Sequence, residues 1–282
     1  MIQVTEAEGV LALSCSRNMP GPLRLAGFGG YRTGAYVVDG LLVDTGSART
    51  APEMADLAAA RGVQLVVNTH HHEDHIGGNA AVSRRTGARI LAHPLTLERL
   101  RDWSSVRPFH FYRGFMFGRP QPSSGEPLGE VVETPRHRFE VHHVPGHTAD
   151  HVALFERSRG WLFGGDAFVG GEDRAARPKP DIRQVIASLG RLRALEPRIL
   201  FAGSGRVYQD AAATLGRKIA YLEDLGGRVL ALHERGVVEE EIARRLLGRD
   251  GWFSLFTSGD YRAIHLVRSY LRSRQDPLPP PA

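Results

Sequence analysis

The chain has 282 residues, a formal charge of +5 from 36 Lys and Arg against 31 Asp and Glu, and one cysteine. That length can bury one large core or one domain plus an appendage, and a lone cysteine excludes an internal disulfide. No apolar run approaches the roughly 20 residues that span a bilayer. The start Met1-Ile2-Gln3-Val4-Thr5-Glu6 lacks the basic and apolar regions of a signal peptide, and the basic residues are scattered instead of striped with aromatics. A cytoplasmic protein is expected, with no membrane or nucleic-acid partner.

In chain order, residues 10–13, 35–38 and 41–43 read as strands, with Asp39-Gly40 as a hairpin turn between the last two. Cys15, beside Leu13 and Ser14, reads as a buried strand residue and not as a nucleophile. A helix is expected over 51–61, ended by Gly62. The pattern repeats with a strand at 64–69, a helix at 79–86 capped by Gly87, and a strand at 89–92.

Residues 94–127 break this rhythm with Trp103, Phe109, His110, Phe111, Tyr112, Phe115 and Phe117, followed by Pro120 and Pro122. An apolar yet Gly- and Pro-rich segment reads either as a lid over a substrate pocket or as a packed helix and loop, with a homodimer contact as a third use. Strands at 139–144, 152–155 and 161–163, a helix at 182–195 and a strand at 198–202 follow. Helices covering two mixed sheets packed face to face account for this order, and such an α/β four-layer αββα sandwich gathers the strand ends along one edge.

After Ser204 the text becomes helical. Leu215, Ile219, Leu222, Leu225, Val229 and Leu232 recur at helical spacing across 211–235, followed by an acidic-start helix at 238–247 and a last one over 261–274. The expected division is a domain over 1–208, a helical appendage over 209–275 and an extended Pro-rich tail over 276–282.

The chemistry concentrates in Asn68-Thr69-His70-His71-His72-Glu73-Asp74-His75-Ile76-Gly77-Gly78, four imidazoles and two carboxylates in six consecutive residues after an apolar strand. Imidazole nitrogen suits zinc, and a neighbouring carboxylate suits a harder or second ion. If the chain leaves the strand near Thr69, alternate side chains can aim at one point, so His70 and His72 would serve one metal, and Asp74 with His75 a neighbour. Two further strand ends carry donors, Val144-Pro145-Gly146-His147-Thr148 and Leu162-Phe163-Gly164-Gly165-Asp166, and a glycine there permits a tight turn into a site.

The His-x-His-x-Asp-His pattern, with Asp44 in Leu42-Val43-Asp44-Thr45-Gly46 before it and His147 and Asp166 after it, resembles the signature of the metallo-β-lactamase superfamily. The likeness covers about residues 8–208. It implies the same sandwich, a first metal site of His70, His72, His147 and Asp166, and a second of Asp74 and His75 with Asp166 as bridge. Asp44 would hold a ligand imidazole from outside. Some relatives also carry a winged-helix-like tail.

One piece departs from the pattern. Where the family supplies a further histidine after a late strand, this chain has Ala202-Gly203-Ser204-Gly205, so Ser204 stands at that position. A serine hydroxyl is a poor ligand for a transition metal. One firm zinc site and a weaker second one are therefore expected, with iron or manganese as other occupants.

The expected function is hydrolysis of a small ester, thioester, lactone or lactam by metal-activated water, with Asp74 orienting or deprotonating that water. The alternatives are a phosphodiesterase or nuclease of the same superfamily, a mononuclear iron sulfur dioxygenase, and a non-catalytic metal-binding regulatory protein. His71, His93, His142, His143 and His151 are not expected among the ligands.

Overall fold

The computed structural model describes residues 1–16, 31–103 and 110–272. Phe109, the end of the last predicted helix and the 276–282 tail lie outside the described residues. The first sheet runs in chain order through β1 (Ile2–Ala7), β2 (Val10–Cys15), β3 (Thr33–Val38), β4 (Leu41–Val43), β5 (Leu65–Asn68), β6 (Arg89–Ala92) and β7 (Glu126–Pro127). The second comprises β8 (Val131–Glu133), β9 (Arg138–His143), β10 (Val152–Glu156), β11 (Trp161–Gly165), β12 (Ile199–Ala202) and β13 (Val207–Tyr208), in the spatial order β13-β12-β11-β10-β9-β8.

Both sheets are mixed, and the mixture positions the site. Strands β1 to β4 pair antiparallel, then β4, β5, β6 and β7 pair parallel. A parallel pair needs a crossover, supplied here by α1 (Ala51–Ala60) and then by α2 (Glu73–Ile76) and α3 (Asn79–Thr86). The carboxyl ends of β4 and β5 consequently emerge side by side, at Asp44 and Thr69. In the second sheet β11 and β12 are the parallel pair, joined through α6 (Ile182–Ala194), so Asp166 and Gly203 also exit together.

Local residues explain these turns. Asp39 and Gly40 both have positive φ, 50° and 79°, the conformation that a two-residue hairpin of the favoured twist requires. Gly87 ends α3 in the left-handed conformation that a side chain disfavours. Asp181 starts α6 by accepting the backbone N–H groups of Arg183 and Gln184 at 3.0 and 3.3 Å.

Strand alternation sorts the core into layers. Leu41, Val43, Val67, Tyr36 and Val38 meet Phe139, Leu154, Trp161, Phe163 and Phe201 between the sheets. There Phe163 and Phe201 stack with centroids 4.5 Å apart, and Tyr36 meets both edge-on. Full burial of each such ring contributes about 1.5–3 kcal/mol. The intervening Leu42 and Val66 face outward into a cluster with Met54, Ala58 and Val82 of α1 and α3.

The opposite outer layer consists of α6, α7 (Ala211–Glu234), α8 (Glu239–Leu247) and α10 (Ala263–Arg272). Leu215, Leu222, Leu225, Ile242, Ile264 and Val267 share one cluster with Phe155, Leu162 and Leu200 of the second sheet. The helices after residue 208 therefore continue the covering layer of the sandwich. With helices outside both sheets, the architecture is the α/β four-layer sandwich with a C-terminal helical extension. Among the described residues no helix is long and apolar enough to cross a membrane.

The differences from the sequence-based expectation lie where patterning is weak. Strand β1 is an edge strand with exposed Gln3, Val4, Thr5 and Glu6, so it lacks a full apolar face. Strands β7 and β13 are two residues long. The 94–127 segment holds α4 (Pro94–Arg101) and α5 (Phe111–Phe117) before β7, and α9 (Trp252–Phe256) precedes α10. The last helix begins at Ala263, two residues later than the spacing predicts.

Candidate metal centre

Four ligand atoms converge where the strand ends meet. One atom from each of His70, His72, His147 and Asp166 lies within 4.8 Å of the others. His70 leaves β5, His72 forms the N-cap of α2, His147 follows β9 and Asp166 follows β11. His70 Nε2 and His147 Nε2 both lie 3.0 Å from His72 Nδ1, and Asp166 Oδ2 is 3.4 Å from His147 Nε2 and 4.0 Å from His70 Nε2.

The tautomer of His70 follows from its partners. Thr69 Oγ1 donates to Asp44 Oδ2 at 2.7 Å, so it accepts from His70 Nδ1 at 3.0 Å. His70 therefore carries its proton on Nδ1 and turns the lone pair of Nε2 into the cluster. Burial, with neighbouring imidazoles in support, holds His70 and His72 well below the usual histidine range and takes His147 down to about 4. Neutral imidazoles with inward lone pairs are the state in which histidine binds a metal.

A second pair of donors adjoins the first group. His75 Nδ1 donates to Asp44 Oδ2 at 2.7 Å, which aims its Nε2 inward. That nitrogen is buried, has no hydrogen-bond partner among the described residues, and lies 3.3 Å from Asp166 Oδ1 and 3.9 Å from Asp74 Oδ2. Burial disfavours a charge on His75, yet Asp166, Asp44 and Asp74 together raise its pKa well above the usual histidine range. Three carboxylates thus favour positive charge at this spot, and the donor set fits a divalent ion.

Backbone geometry serves the same end. Asp44 adopts φ +59°, a conformation uncommon outside glycine and characteristic of functional sites. Its other oxygen accepts the backbone N–H of Thr69 at 2.8 Å, tying the ends of β4 and β5 together. Gly203 passes so close to Asp166 that a Cβ there would overlap Asp166 Oδ1. Ser204 follows it, with a buried hydroxyl that has no hydrogen-bond partner among the described residues.

Asp74 stands apart from the four-atom group. Its Oδ2 accepts Tyr31 OH at 2.7 Å and Thr33 Oγ1 at 3.0 Å. Burial, then Glu73 and Asp166, raise its pKa against the pull of His75 and Tyr31. Glu73 is fully buried in an ion pair with Arg113 of α5, and Arg113 also lies over the Trp103 ring at 5.6 Å. The aromatic segment is thereby a wall of the site, with Phe117 edge-on to Tyr31 at 5.0 Å.

The remaining histidines fall outside the cluster. His71 pairs with Asp150 at 3.0 Å, His143 Nε2 meets Ala149 O at 2.7 Å, and His93 accepts from Leu95 N at the start of α4. His151 is fully buried and stacks on His70 at 4.8 Å, supporting that ring from behind. Sequence reasoning did not single out Thr69, Tyr31, Thr33, Glu73, Arg113 or Arg177. Thr69 was readable as the residue that enters the motif, and Glu73 as a charge inside it. Tyr31 and Arg177 belong to no pattern.

A cavity of about 660 Å³ lies elsewhere, between α1, α3 and α5, lined by Arg49, Pro52, Arg84, Phe111 and Phe115 among others. None of the converging donors lines it.

Known proteins are similar to this chain in sequence and in fold. Residues 31–204 match the metallo-beta-lactamase superfamily profile. Hydroxyacylglutathione hydrolase of Pseudomonas paraeruginosa (strain DSM 24068 / PA7) is 35% identical over 158 residues, 55% of this chain and 52% of that protein. The enzyme of the same name from Synechococcus sp. (strain JA-2-3B'a(2-13)) is 32% identical over 149 residues, 51% of each. The chain thus spans about half the length of these relatives. Among solved structures, a metallo-beta-lactamase family protein from Thermus thermophilus superposes with a TM-score of 0.67 at 22% identity, covering 95% of both chains. A beta-lactamase domain protein from Burkholderia ambifaria gives 0.67 at 16% identity, covering 95% of this chain and 89% of that one, so the fold likeness includes the C-terminal helices. Taken with the strand-end donors, the profile match shows that the chain belongs to the metallo-beta-lactamase superfamily.

Proposed function

We propose that this protein is a zinc-dependent acyl hydrolase acting on a small thioester or ester, with lactones and lactams as related substrates. The observation that carries this reading is the convergence of His70 Nε2, His72 Nδ1, His147 Nε2 and Asp166 Oδ2 beside an Asp74 carboxylate that is not part of their group. A structural zinc site is ordinarily closed and self-contained, whereas this one adjoins further donors. The similarity to hydroxyacylglutathione hydrolases, whose name denotes cleavage of an acylated thiol, favours thioesters over phosphodiesters.

His70, His72, His147 and Asp166 would hold the ion, which when bound would lower the pKa of a water toward ~7 and polarise an acyl carbonyl. The chain's own residues do the rest. Thr69 and Asp44 orient His70 and His75. Tyr31 and Thr33 both engage Oδ2 of Asp74, leaving Oδ1 to accept a proton from the attacking water. Arg113 holds Glu73, and through it the short α2 that carries Asp74 and His75.

The test is a substrate panel with zinc-loaded protein: a thioester, an aryl ester, a lactone, a β-lactam and bis(p-nitrophenyl) phosphate. Acyl turnover is expected, and Asp74→Asn should reduce it by about 10²–10⁴-fold, the usual contribution of a positioned base. Cleavage of the phosphodiester alone would replace this reading with a phosphodiesterase. Bound iron with oxygen uptake on a persulfide would replace it with a dioxygenase.

A further inference from the structure

The loop between Asp166 and α6 brings one arginine against His72, and the C-terminal helices hold that loop. Ala176 and Arg262 form an antiparallel bridge with two backbone hydrogen bonds of 3.1 Å. Arg272 donates to Pro178 O at 2.8 Å, Ser269 Oγ donates to Pro180 O at 2.9 Å, and Ile182 N donates to Ser269 Oγ at 3.0 Å. From the segment before α10, Asp260 Oδ2 lies 3.8 Å from Arg177 Nε and accepts Tyr112 OH at 2.6 Å, while Oδ1 is 3.5 Å from His110 Nε2. Asp260 therefore joins Arg177, the aromatic wall and the C-terminal helices at one point.

Arg177 Nη1 lies 3.5 Å from His72 Nε2. That contact changes meaning once His72 binds an ion. Its Nδ1 faces the cluster, so a coordinated neutral imidazole carries its proton on Nε2 and offers Arg177 no acceptor. Asp260 sits beyond hydrogen-bond distance on the other side, and the Arg177 side chain keeps 22% of its surface open. A guanidinium cannot shed its proton and has five N–H donors in a planar fork that matches a carboxylate. It is held one imidazole's width from the metal position, with donors to spare.

We propose that the protein selects acyl substrates bearing a carboxylate a few bonds from the scissile carbonyl, that Arg177 binds this carboxylate, and that Asp260 of the C-terminal segment positions Arg177. This rests on the hydrolase reading and names its substrate class. The C-terminal helices are then part of the site and not only a cover for the second sheet.

The experiment compares a succinyl thioester of N-acetylcysteamine with its methyl-ester counterpart, equal in reacting bond and differing in charge, using the zinc-loaded full chain. The acid should be preferred at least tenfold in kcat/KM by the wild type. Arg177→Met should bring the acid-to-ester ratio close to one, mainly through KM, with Arg177→Lys intermediate, and Asp260→Asn should lower the ratio in the same direction. As a readout independent of turnover, succinate should raise the thermal midpoint of zinc-loaded wild type and not of Arg177→Met, with equal zinc content in both. Hydrolysis without acid preference in the wild type, or an unchanged ratio in Arg177→Met, overturns the carboxylate assignment and leaves the hydrolase intact. No turnover of any acyl substrate overturns both.

Discussion

Asp44 Oδ2 lies 2.7 Å from His75 Nδ1, and the same oxygen accepts Thr69 Oγ1, which in turn faces His70 Nδ1. One buried carboxylate therefore fixes the ring orientation of two inward-facing imidazoles, His75 directly and His70 through a hydroxyl relay. Partners of this kind set the tautomer and basicity of a metal-binding histidine, and losing one costs about 10–100-fold in metal affinity. Asp44→Asn is expected to lower zinc affinity by that factor, and Thr69→Val by less, because it loosens His70 alone. Chelator competition measures both; an Asp44→Asn protein that binds zinc as wild type does would remove the proposed relay.

Glu73 and Arg113 form a buried pair between α2 and the aromatic wall. Burial would raise the pKa of Glu73, but the Arg113 guanidinium beside it brings it below the usual carboxylate range. Removing one partner leaves the other charge buried and alone, at about 3–5 kcal/mol, whereas removing both is far milder. Urea titration should accordingly place Arg113→Met well below wild type, with Glu73→Leu/Arg113→Met recovering much of the loss. Equal destabilisation by the single and double variants would contradict a paired, desolvated contact.

Acid should destabilise the metal-free protein, and the sign follows from two histidines. Burial lowers the pKa of His147 to about 4 and of His151 to about 3. Each folded-state value lies below the unfolded ~6.5, so the unfolded chain binds more protons between those limits. Their contribution is complete above pH ~6.5 and is lost as the pH falls toward 4 and then 3. His75, raised by its three carboxylates, works in the opposite direction, and its contribution fades on the alkaline side. Denaturant midpoints of chelator-treated protein should fall from pH 7 to pH 4, and His151→Phe should flatten that slope. A profile that rises on acidification would refute the assignment of neutral imidazoles.

Much of this site was readable before any fold was known, for a physical reason. Candidate metal ligands at strand ends announce themselves by unusual side-chain types directly after apolar runs, as at His70, His147 and Asp166. The sandwich was readable because the central strands are buried on both faces and carry continuous apolar text, as in Ala35-Tyr36-Val37-Val38. Strand β1 was not, since four of its six residues are exposed. Tyr31, Thr33 and Arg177 were illegible because their roles depend on the tertiary path. Tyr31 and Thr33 reach Asp74 across more than 40 residues, and Arg177 reaches His72 across 105. Glu73 looked like one more charge in a polar motif, and only its burial against Arg113 gives it a role.

The position of Ser204 gives the last prediction. Three donors, Asp74, His75 and Asp166, remain for a second ion, but Asp74 Oδ2 is already engaged by Tyr31 and Thr33, and Asp74 and His75 lie outside the four-atom group. Serine at 204 contributes a hydroxyl, which does not replace an imidazole as a ligand for zinc. Dialysed wild-type protein is therefore expected to retain one zinc firmly and to lose the second. Ser204→His should hold the second ion more tightly, by more than about tenfold, the lower end of what an outer partner such as Asp44 contributes. Zinc analysis after dialysis, with isothermal titration of the second equivalent, separates the cases. Two firmly held ions in the wild type would mean that Asp74, His75 and Asp166 suffice, and an unchanged second equivalent in Ser204→His would mean that residue 204 does not face the ion at all.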